Sequence, residues 1–292
     1  MRMKTGPQPL PISHAHHAPP PHIRALHKAH QRSPLTVPTV LDFENLPLSS
    51  PSSFSPVANS TISASVASTA FSAFSDGRED TVNVESDIPV YNVSSVPGLR
   101  VIPNLLPPSV QKTLLRKLLF RDLSDPRHKT NLHAHYNLPP PPPDIGSYFE
   151  SPPGTTFQAL NTDGRDLPID RMLDKKLRWV TLGGQYDWSK LSRCDIEKPL
   201  VSHRGIHWRL IGIVSLGCEA LFIAGVGEGE GVVIRVRSGD AIVMSGEARW
   251  AWHSVPTIAS GTCPDWLQEW PEERRGWMKG KRVNLNVRQM WD

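Results

Sequence analysis

The chain contains no run of about 18 apolar residues, the length a membrane-spanning helix needs, and a membrane protein is excluded on that ground. Cysteine is scarce: Cys194, Cys218 and Cys263 are the only three in 292 residues. An odd number with no C-x-x-C spacing fits neither a disulfide framework nor a cysteine zinc site. The opening MRMKTGPQPLPIS lacks the apolar core of a secretory signal. These absences point to a reducing, intracellular setting, with nucleus or mitochondrion as the expected compartment. Apolar residues make up only 38%. That falls below the share usual for a wholly globular chain, so part of the sequence is expected to be unfolded. The net charge of +4 permits a polyanionic partner without demanding one.

Acidic residues are missing from the first 41 positions; Asp42 is the earliest. Arg2, Lys4, Arg24, Lys28 and Arg32 make this stretch basic, and His14, His16, His17, His22, His27 and His30 crowd into it. Pro, Ser, Thr, Ala and His dominate residues 1–88, without sustained apolar periodicity, and the segment is expected to be disordered. A metal- or nucleic-acid-binding arm and a solvated tail both fit; composition favours the tail. Absent acids also allow organelle targeting, but the prolines argue against the amphipathic helix such a signal forms.

Order is expected from Ile88. Leu99–Leu106 reads as a short strand and turn. Pro107-Pro108-Ser109 then opens a helix with Ser109 as N-cap, and Val110, Leu114, Leu115, Leu118 and Leu119 recur at helical spacing. Asn131–Gly154 is a loop, broken by the prolines at 139–143. Within it, His133 and His135 can be read as metal ligands or as ordinary loop polarity. From Leu177 the pattern turns to β: Leu177–Leu182, Leu210–Ser215, Ala220–Ala224, Val232–Arg237, Ala241–Met244 and Val283–Val287, punctuated by glycines. Short strands between turn signals indicate a sandwich, barrel or jelly roll. The fold class is therefore α+β, mostly β with flanking helices.

The last strand carries the most chemistry. On an extended chain alternate residues share a face, so Arg282, Asn284, Asn286 and Arg288 line one side and Val283, Leu285 and Val287 the other. Two guanidinium groups and two amides are costly to bury without partners. They make sense against an anion, since arginine grips a carboxylate through two parallel hydrogen bonds. A solvent-facing strand is the alternative. His253 closes a second cluster, 238–253, at the mouth of the β-structure. Trp179 and Tyr186 flank Gly183-Gly184 in a third, where aromatics either stack on a planar ring or simply pack. Trp266, Trp270 and Trp277 with Arg274, Arg275, Lys279 and Lys281 form either a stacking, basic surface or an ordinary solvated segment.

Taken together, R-W-V-T-L-G-G-Q-Y-D-W at 178–188, S-L-G-C-E-A-L-F at 215–222, the Ser-Gly-Asp to His253 stretch and R-V-N-L-N-V-R-Q at 282–289 resemble the AlkB-like iron(II)/2-oxoglutarate dioxygenases, in the AlkB homologue 1 branch. The resemblance spans about residues 99–292. It implies a double-stranded β-helix (jelly roll) and a 2-His-1-carboxylate iron centre with 2-oxoglutarate as cosubstrate. His253 matches the distal metal histidine. Arg282, Asn284 and Arg288 match cosubstrate-binding positions, Arg288 also lying near the methylated base. Trp179 and Tyr186 match aromatics of the nucleotide-recognition lid. The implied reaction hydroxylates an N-methyl group of a base in methylated DNA or RNA, tRNA included, and releases formaldehyde; the base must be single-stranded or flipped.

One part of the pattern is missing. The family's other two metal ligands come from H-x-D, and none of the twelve histidines is followed two residues later by Asp or Glu. Only Ser189–Arg193 separates Trp188 from Cys194-Asp195, which resembles sequence lying beyond that pair. A strand and two ligands are thus expected to be deleted after Trp188, and residues 203–212 read as an insertion. The jelly roll is expected to be incomplete and the chain inactive. A metal set of His203, His207 and His253 is the weaker possibility, resting only on helical spacing. The competing function is a nucleotide- or 2-oxoglutarate-binding module without turnover.

Overall fold

The computed structural model describes residues 18–32, 34–35, 39–44, 54–74, 82–182, 186–187, 192–193, 210–227 and 229–288. The elements that position the site are, in chain order, α1 (Pro21–His30), β1 (Val40–Leu41), β2 (Phe54–Ile62), α2 (Ala64–Phe74), β3 (Ile88–Val93), β4 (Leu99–Ile102), α3 (Pro108–Arg116), β5 (Ile211–Gly217), β6 (Ala220–Gly225), β7 (Val232–Val236), β8 (Ala241–Met244), β9 (Trp252–Ile258) and β10 (Arg282–Arg288). The architecture is mixed α+β with sheet predominant. No helix among the described residues is long and apolar enough to cross a membrane.

Two sheets dominate. A six-stranded sheet runs in the order β10-β5-β8-β4-β3-β2, and a four-stranded sheet in the order β1-β7-β6-β9. All neighbours are antiparallel except β1, which lies parallel to β7. Period-2 alternation sorts their side chains. Ile211 and Ile213 of β5, Ile242 and Met244 of β8, Phe222 and Ala224 of β6, and Ile234 of β7 join one buried cluster between the sheets. The opposite face of the large sheet contributes Ile88, Val90, Ile102 and Ala241 to a second cluster, which α2 covers with Ala67 and Phe71. The opposite face of the small sheet presents Leu221, Ile223 and Val233 beneath Leu26 of α1. Burying a side chain such as Phe222, 2% exposed, contributes about 1.5–3 kcal/mol.

The helix after Pro107 forms, with a different cap. Pro107 occupies the N-cap and Pro108 the first turn, and no side chain caps the helix, so Ser109 does not serve as the cap. Proline fits there because its missing N–H has no helical partner at that position. Val110 and Leu115 are buried, and the helix continues as a π-type stretch over Lys117–Asp122 that buries Leu118, Leu119 and Phe120. These residues build a third large cluster with Phe149, Met172, Leu216 and Leu267.

Within residues 1–88, the span expected to be disordered, the described residues form α1, β1, β2 and α2, while residues 1–17 lie outside the described set. The prolines that argued against a helix start one: Pro20 is the N-cap of α1 and Pro21 its first residue. The helix then docks. A Cβ on Gly225 would lie 2.3 Å from Cδ1 of Ile23, and one on Gly231 2.9 Å from Cδ2 of Leu26, so the two glycines form a notch that these side chains fill. The first acid of the chain anchors β1. Asp42 accepts hydrogen bonds from Arg237 Nη1 (2.7 Å) and Nη2 (2.8 Å) and from Arg235 Nη1 (3.1 Å). With Glu44 on Arg237 and Glu219 on Arg235, this ion-pair set holds β1 on the sheet edge. Composition reads local sequence only; the stabilising partners here lie about 200 residues away.

The expected deletion after Trp188 and most of the 203–212 insertion lie outside the described residues. The exceptions are Leu210, Ile211 and Gly212. Ile211 and Gly212 are full ladder residues of β5, paired with Met244 and Val243 on one side and with Arg288 and Val287 on the other.

Candidate functional site

The polar row of β10 lies where alternation placed it. In register, Arg282 faces Gly217, Asn284 faces Ser215, Asn286 faces Ile213 and Arg288 faces Ile211. Directly paired residues share a face, and Ile211 and Ile213 belong to the inter-sheet core. The row therefore borders the space between the sheets. Val283 and Leu285 point the other way and pack against the α3 cluster.

Within the row the polar groups are chained. Arg282 Nε donates to Ser215 Oγ at 2.9 Å, and Arg282 Nη2 donates to Asn284 Oδ1 at 2.9 Å. Asn284 Nδ2 donates to Asn286 Oδ1 at 2.9 Å. The amide oxygens are consumed inside the chain, which leaves N–H groups facing outward. Among the described residues, two of the five guanidinium N–H donors are committed and three are not. No carboxylate pairs with Arg282 among those residues. Burial pushes its pKa down to about 10, still charged at neutral pH. A desolvated cation without an acid partner is an anion site in electrostatic terms.

Two residues that alternation could not reveal set this geometry. Ser215 is 2% exposed and belongs to β5. Gly217, at φ +94°, lets the neighbouring strand begin: a Cβ there would sit 2.5 Å from the Lys281 carbonyl oxygen. The Cys218 N–H donates to that same oxygen at 2.8 Å.

His253 stands on the other sheet. It pairs with Ala224, which belongs to the inter-sheet cluster, and its ring stacks on Phe222 with centroids 6.0 Å apart and planes inclined by 27°. Arg282 and His253 thus turn toward the same inter-sheet space from opposite sheets. Nδ1 of His253 lies 3.0 Å from the Ala251 carbonyl oxygen. A carbonyl only accepts, so Nδ1 carries the proton and Nε2 keeps its lone pair, the arrangement of a metal-ligating imidazole.

Among the described residues no group of three or more His, Cys, Asp or Glu side chains converges on one point. A 2-His-1-carboxylate centre therefore does not fit these residues: His253 alone is in place. His203, His207 and Asp195, and the side chain of Asp187, lie outside the described residues. The His133 and His135 pair is loop polarity. His133 Nδ1 accepts from the Thr130 N–H at 3.0 Å, capping a turn, and burial lowers its pKa.

Trp179 is 48% exposed. Its backbone is anchored by Asn131, whose Oδ1 accepts from the N–H groups of Arg178 (2.8 Å) and Trp179 (3.3 Å). Among the described residues no hydrogen bond or ring contact ties it to β10 or to His253. Tyr186 lies in a two-residue ladder with Arg193, and its side chain is outside the described set. Trp266, Trp270 and Trp277 pack against the α3 cluster. Arg274 donates to the Phe149 and Ser151 carbonyls and pairs with Asp170. That region is structural.

The family model of the 2OG-Fe(II) oxygenase superfamily matches residues 209–288, from the start of β5 to the end of β10. An N6-methyladenosine RNA demethylase, ALKB1, of Pyricularia oryzae is 38% identical over 70% of this chain and 78% of its own length. An N6-methyladenosine RNA demethylase, ALKBH, of Cryphonectria parasitica is 37% identical over 55% of this chain and 100% of its own. The tRNA demethylase abh1 of Schizosaccharomyces pombe is 28% identical over 69% and 82%. The chain belongs to the 2OG-Fe(II) oxygenases, and within them to the AlkB-like proteins of the ALKBH1 branch. The cofactor of that family is Fe(II) and its cosubstrate 2-oxoglutarate.

Proposed function

We propose that this chain is an AlkB-type demethylase domain for N-methylated bases of nucleic acid, and that in its present sequence it binds without turning over. The two facing sheets are the halves of a double-stranded β-helix short of one strand. Arg282 and Asn284 hold a carboxylate of 2-oxoglutarate, Arg288 lies toward the base, His253 is the surviving metal histidine, and Trp179 and Tyr186 belong to the lid over the nucleotide. The observation that carries this reading is Arg282. Its guanidinium is desolvated and tied to Ser215 and Asn284. It has no acid partner among the described residues and borders the same space as His253.

Three of the relatives are named for three overlapping substrates: N6-methyladenosine in RNA, tRNA, and N(6)-methyladenine in DNA. A methylated base in RNA, tRNA among them, is the substrate class common to most of these names, and the net charge of +4 suits a polyanion. The absence of any H-x-D or H-x-E supports loss of turnover, because His253, the one candidate ligand in place among the described residues, cannot hold the iron by itself.

The test uses an N6-methyladenosine-containing RNA oligonucleotide with Fe(II) and 2-oxoglutarate. Mass spectrometry should find the methyl group retained and no succinate formed, while fluorescence anisotropy finds binding that weakens as salt rises. Loss of the methyl group overturns the inactivity. Absence of binding overturns the nucleic-acid assignment.

A further inference from the structure

A 2-oxo dicarboxylate can be recognised by two separable halves. One carboxylate can pair with a guanidinium. The 2-oxo acid end can chelate a metal through its keto and carboxylate oxygens. In this chain the two halves have different fates. The guanidinium half is built from elements that owe nothing to a metal. β10 is laddered to β5 over seven consecutive register pairs, from Arg282 to Arg288. Ser215 Oγ fixes Nε, Asn284 Oδ1 fixes Nη2, and Gly217 admits the strand at that end. Such pre-organisation lowers the entropy lost on binding. Among the described residues the metal half is reduced to His253, and the sequence holds no H-x-D or H-x-E pair.

We infer that the Arg282–Asn284 end of β10 binds dicarboxylates without a metal and without discriminating a 2-oxo group. The inference rests on the reading of β10 as the cosubstrate face and departs from the family at the metal. Glutarate differs from 2-oxoglutarate only by the ketone. With no metal to chelate, that ketone has at most an amide N–H of the row to meet. A carbonyl gaining one exchangeable hydrogen bond changes affinity little, because it gives up a bond to water in return. The preference for a dicarboxylate comes from the summed positive charge of the row, to which Arg288, itself engaged in an interaction, adds a second cation on the same face of the same strand. The ligand class is thus a short dicarboxylate, saturated or 2-oxo, and the binding is independent of chelators.

Isothermal titration calorimetry on the full chain tests this, with 2-oxoglutarate and glutarate each titrated in EDTA and again with Mn(II). Both ligands should bind in EDTA with Kd values within about threefold of one another, and Mn(II) should move neither by more than about threefold, under 1 kcal/mol. Arg282→Ala should abolish both. Arg282→Lys, which keeps the charge and loses the planar fork, should weaken both by about tenfold or more. A thermal melt of each variant separates lost binding from lost folding. If 2-oxoglutarate binds only with Mn(II), or about tenfold or more tighter than glutarate, the inference is overturned while the oxygenase assignment stands on an intact metal centre. If neither ligand binds under any condition, both the inference and the reading of β10 fail. Binding of both ligands that survives Arg282→Ala places the site elsewhere and overturns the inference as well.

Discussion

His27 of α1 and Ser254 of β9 are 227 positions apart in the chain, and Nδ1 of one lies 2.9 Å from Oγ of the other. The bond joins the N-terminal helix to the residue next to His253. Among the described residues β9 is an edge strand, laddered to β6 on one side with an irregularity between Leu221 and Ile223, and α1 packs beside it. The helix that a composition argument would discard therefore braces the strand that carries His253.

Removing that brace should loosen β9. Ile23 is 4% exposed and fills the notch over Gly225 and Gly231. Ile23→Ala should cost about 2–4 kcal/mol, the range for truncating a buried aliphatic. His27→Ala should cost about 1 kcal/mol, for one hydrogen bond. Hydrogen exchange should show faster amide exchange across Trp252–Ile258 in both variants. Unchanged exchange there would mean that the helix merely rests on the sheet.

Gly217→Ala should disturb the proposed carboxylate site without touching any of its polar groups. The residue sits at φ +94°, and its new Cβ would press to 2.5 Å from a backbone oxygen. Backbone strain of this kind costs on the order of 1–3 kcal/mol. The start of β10 must shift to relieve it, and Arg282 is the first residue of that strand. Calorimetry should record weakened dicarboxylate binding together with a lowered melting temperature. Wild-type affinity in a folded variant would argue that Arg282 is positioned by other means.

Asp240 gives a pH signature. Burial, ahead of hydrogen bonds from the Asn104 and Arg237 N–H groups that oppose it, raises its pKa from 3.8 to about 6. A carboxyl with a raised folded pKa binds more protons folded than unfolded between those values. Stability from this group is therefore present below about pH 4 and declines as pH rises toward 6. Two pKa units correspond to about 3 kcal/mol. Urea unfolding of wild type and Asp240→Asn at several pH values isolates it. The difference between the two should fall by an amount of that order from pH 4 to pH 7, and a flat difference would refute the assignment.

Trp179→Ala should separate binding from folding. The ring is about half exposed and packs little, so the melting temperature should stay within a few degrees. Loss of a stacking platform typically weakens single-strand binding by about 1–3 kcal/mol per base. Fluorescence anisotropy with methylated RNA should therefore show an affinity loss of about tenfold, and none if the ring does not meet the nucleic acid.

Much of the site was legible because a strand declares its faces locally. Arg282, Asn284, Asn286 and Arg288 occupy alternate positions, and the ladder to β5 keeps them on one side. His253 was legible only as part of a motif; nothing in its own neighbourhood predicts stacking on Phe222. Ser215 and Gly217 were invisible as site residues, since their roles exist only across the ladder. The docking of α1 was not legible for the same reason. Ile23 and Leu26 look like stray apolar residues among prolines and histidines until two glycines some 200 positions later make room for them.

By itself, then, the amino-acid order determined the period-2 strands, the cationic amide-lined row at 282–288, membership of the AlkB-like set, and the lack of an H-x-D pair. Tertiary structure alone decided that this row and His253 turn toward one space from opposite sheets, that Arg282 is desolvated without an acid beside it among the described residues, and that α1 and β1 belong to the fold. The division comes from range. Alternation and motif are properties of neighbours along the chain, whereas desolvation, strand register and the docking of α1 depend on groups that meet only once the sheets have closed on each other.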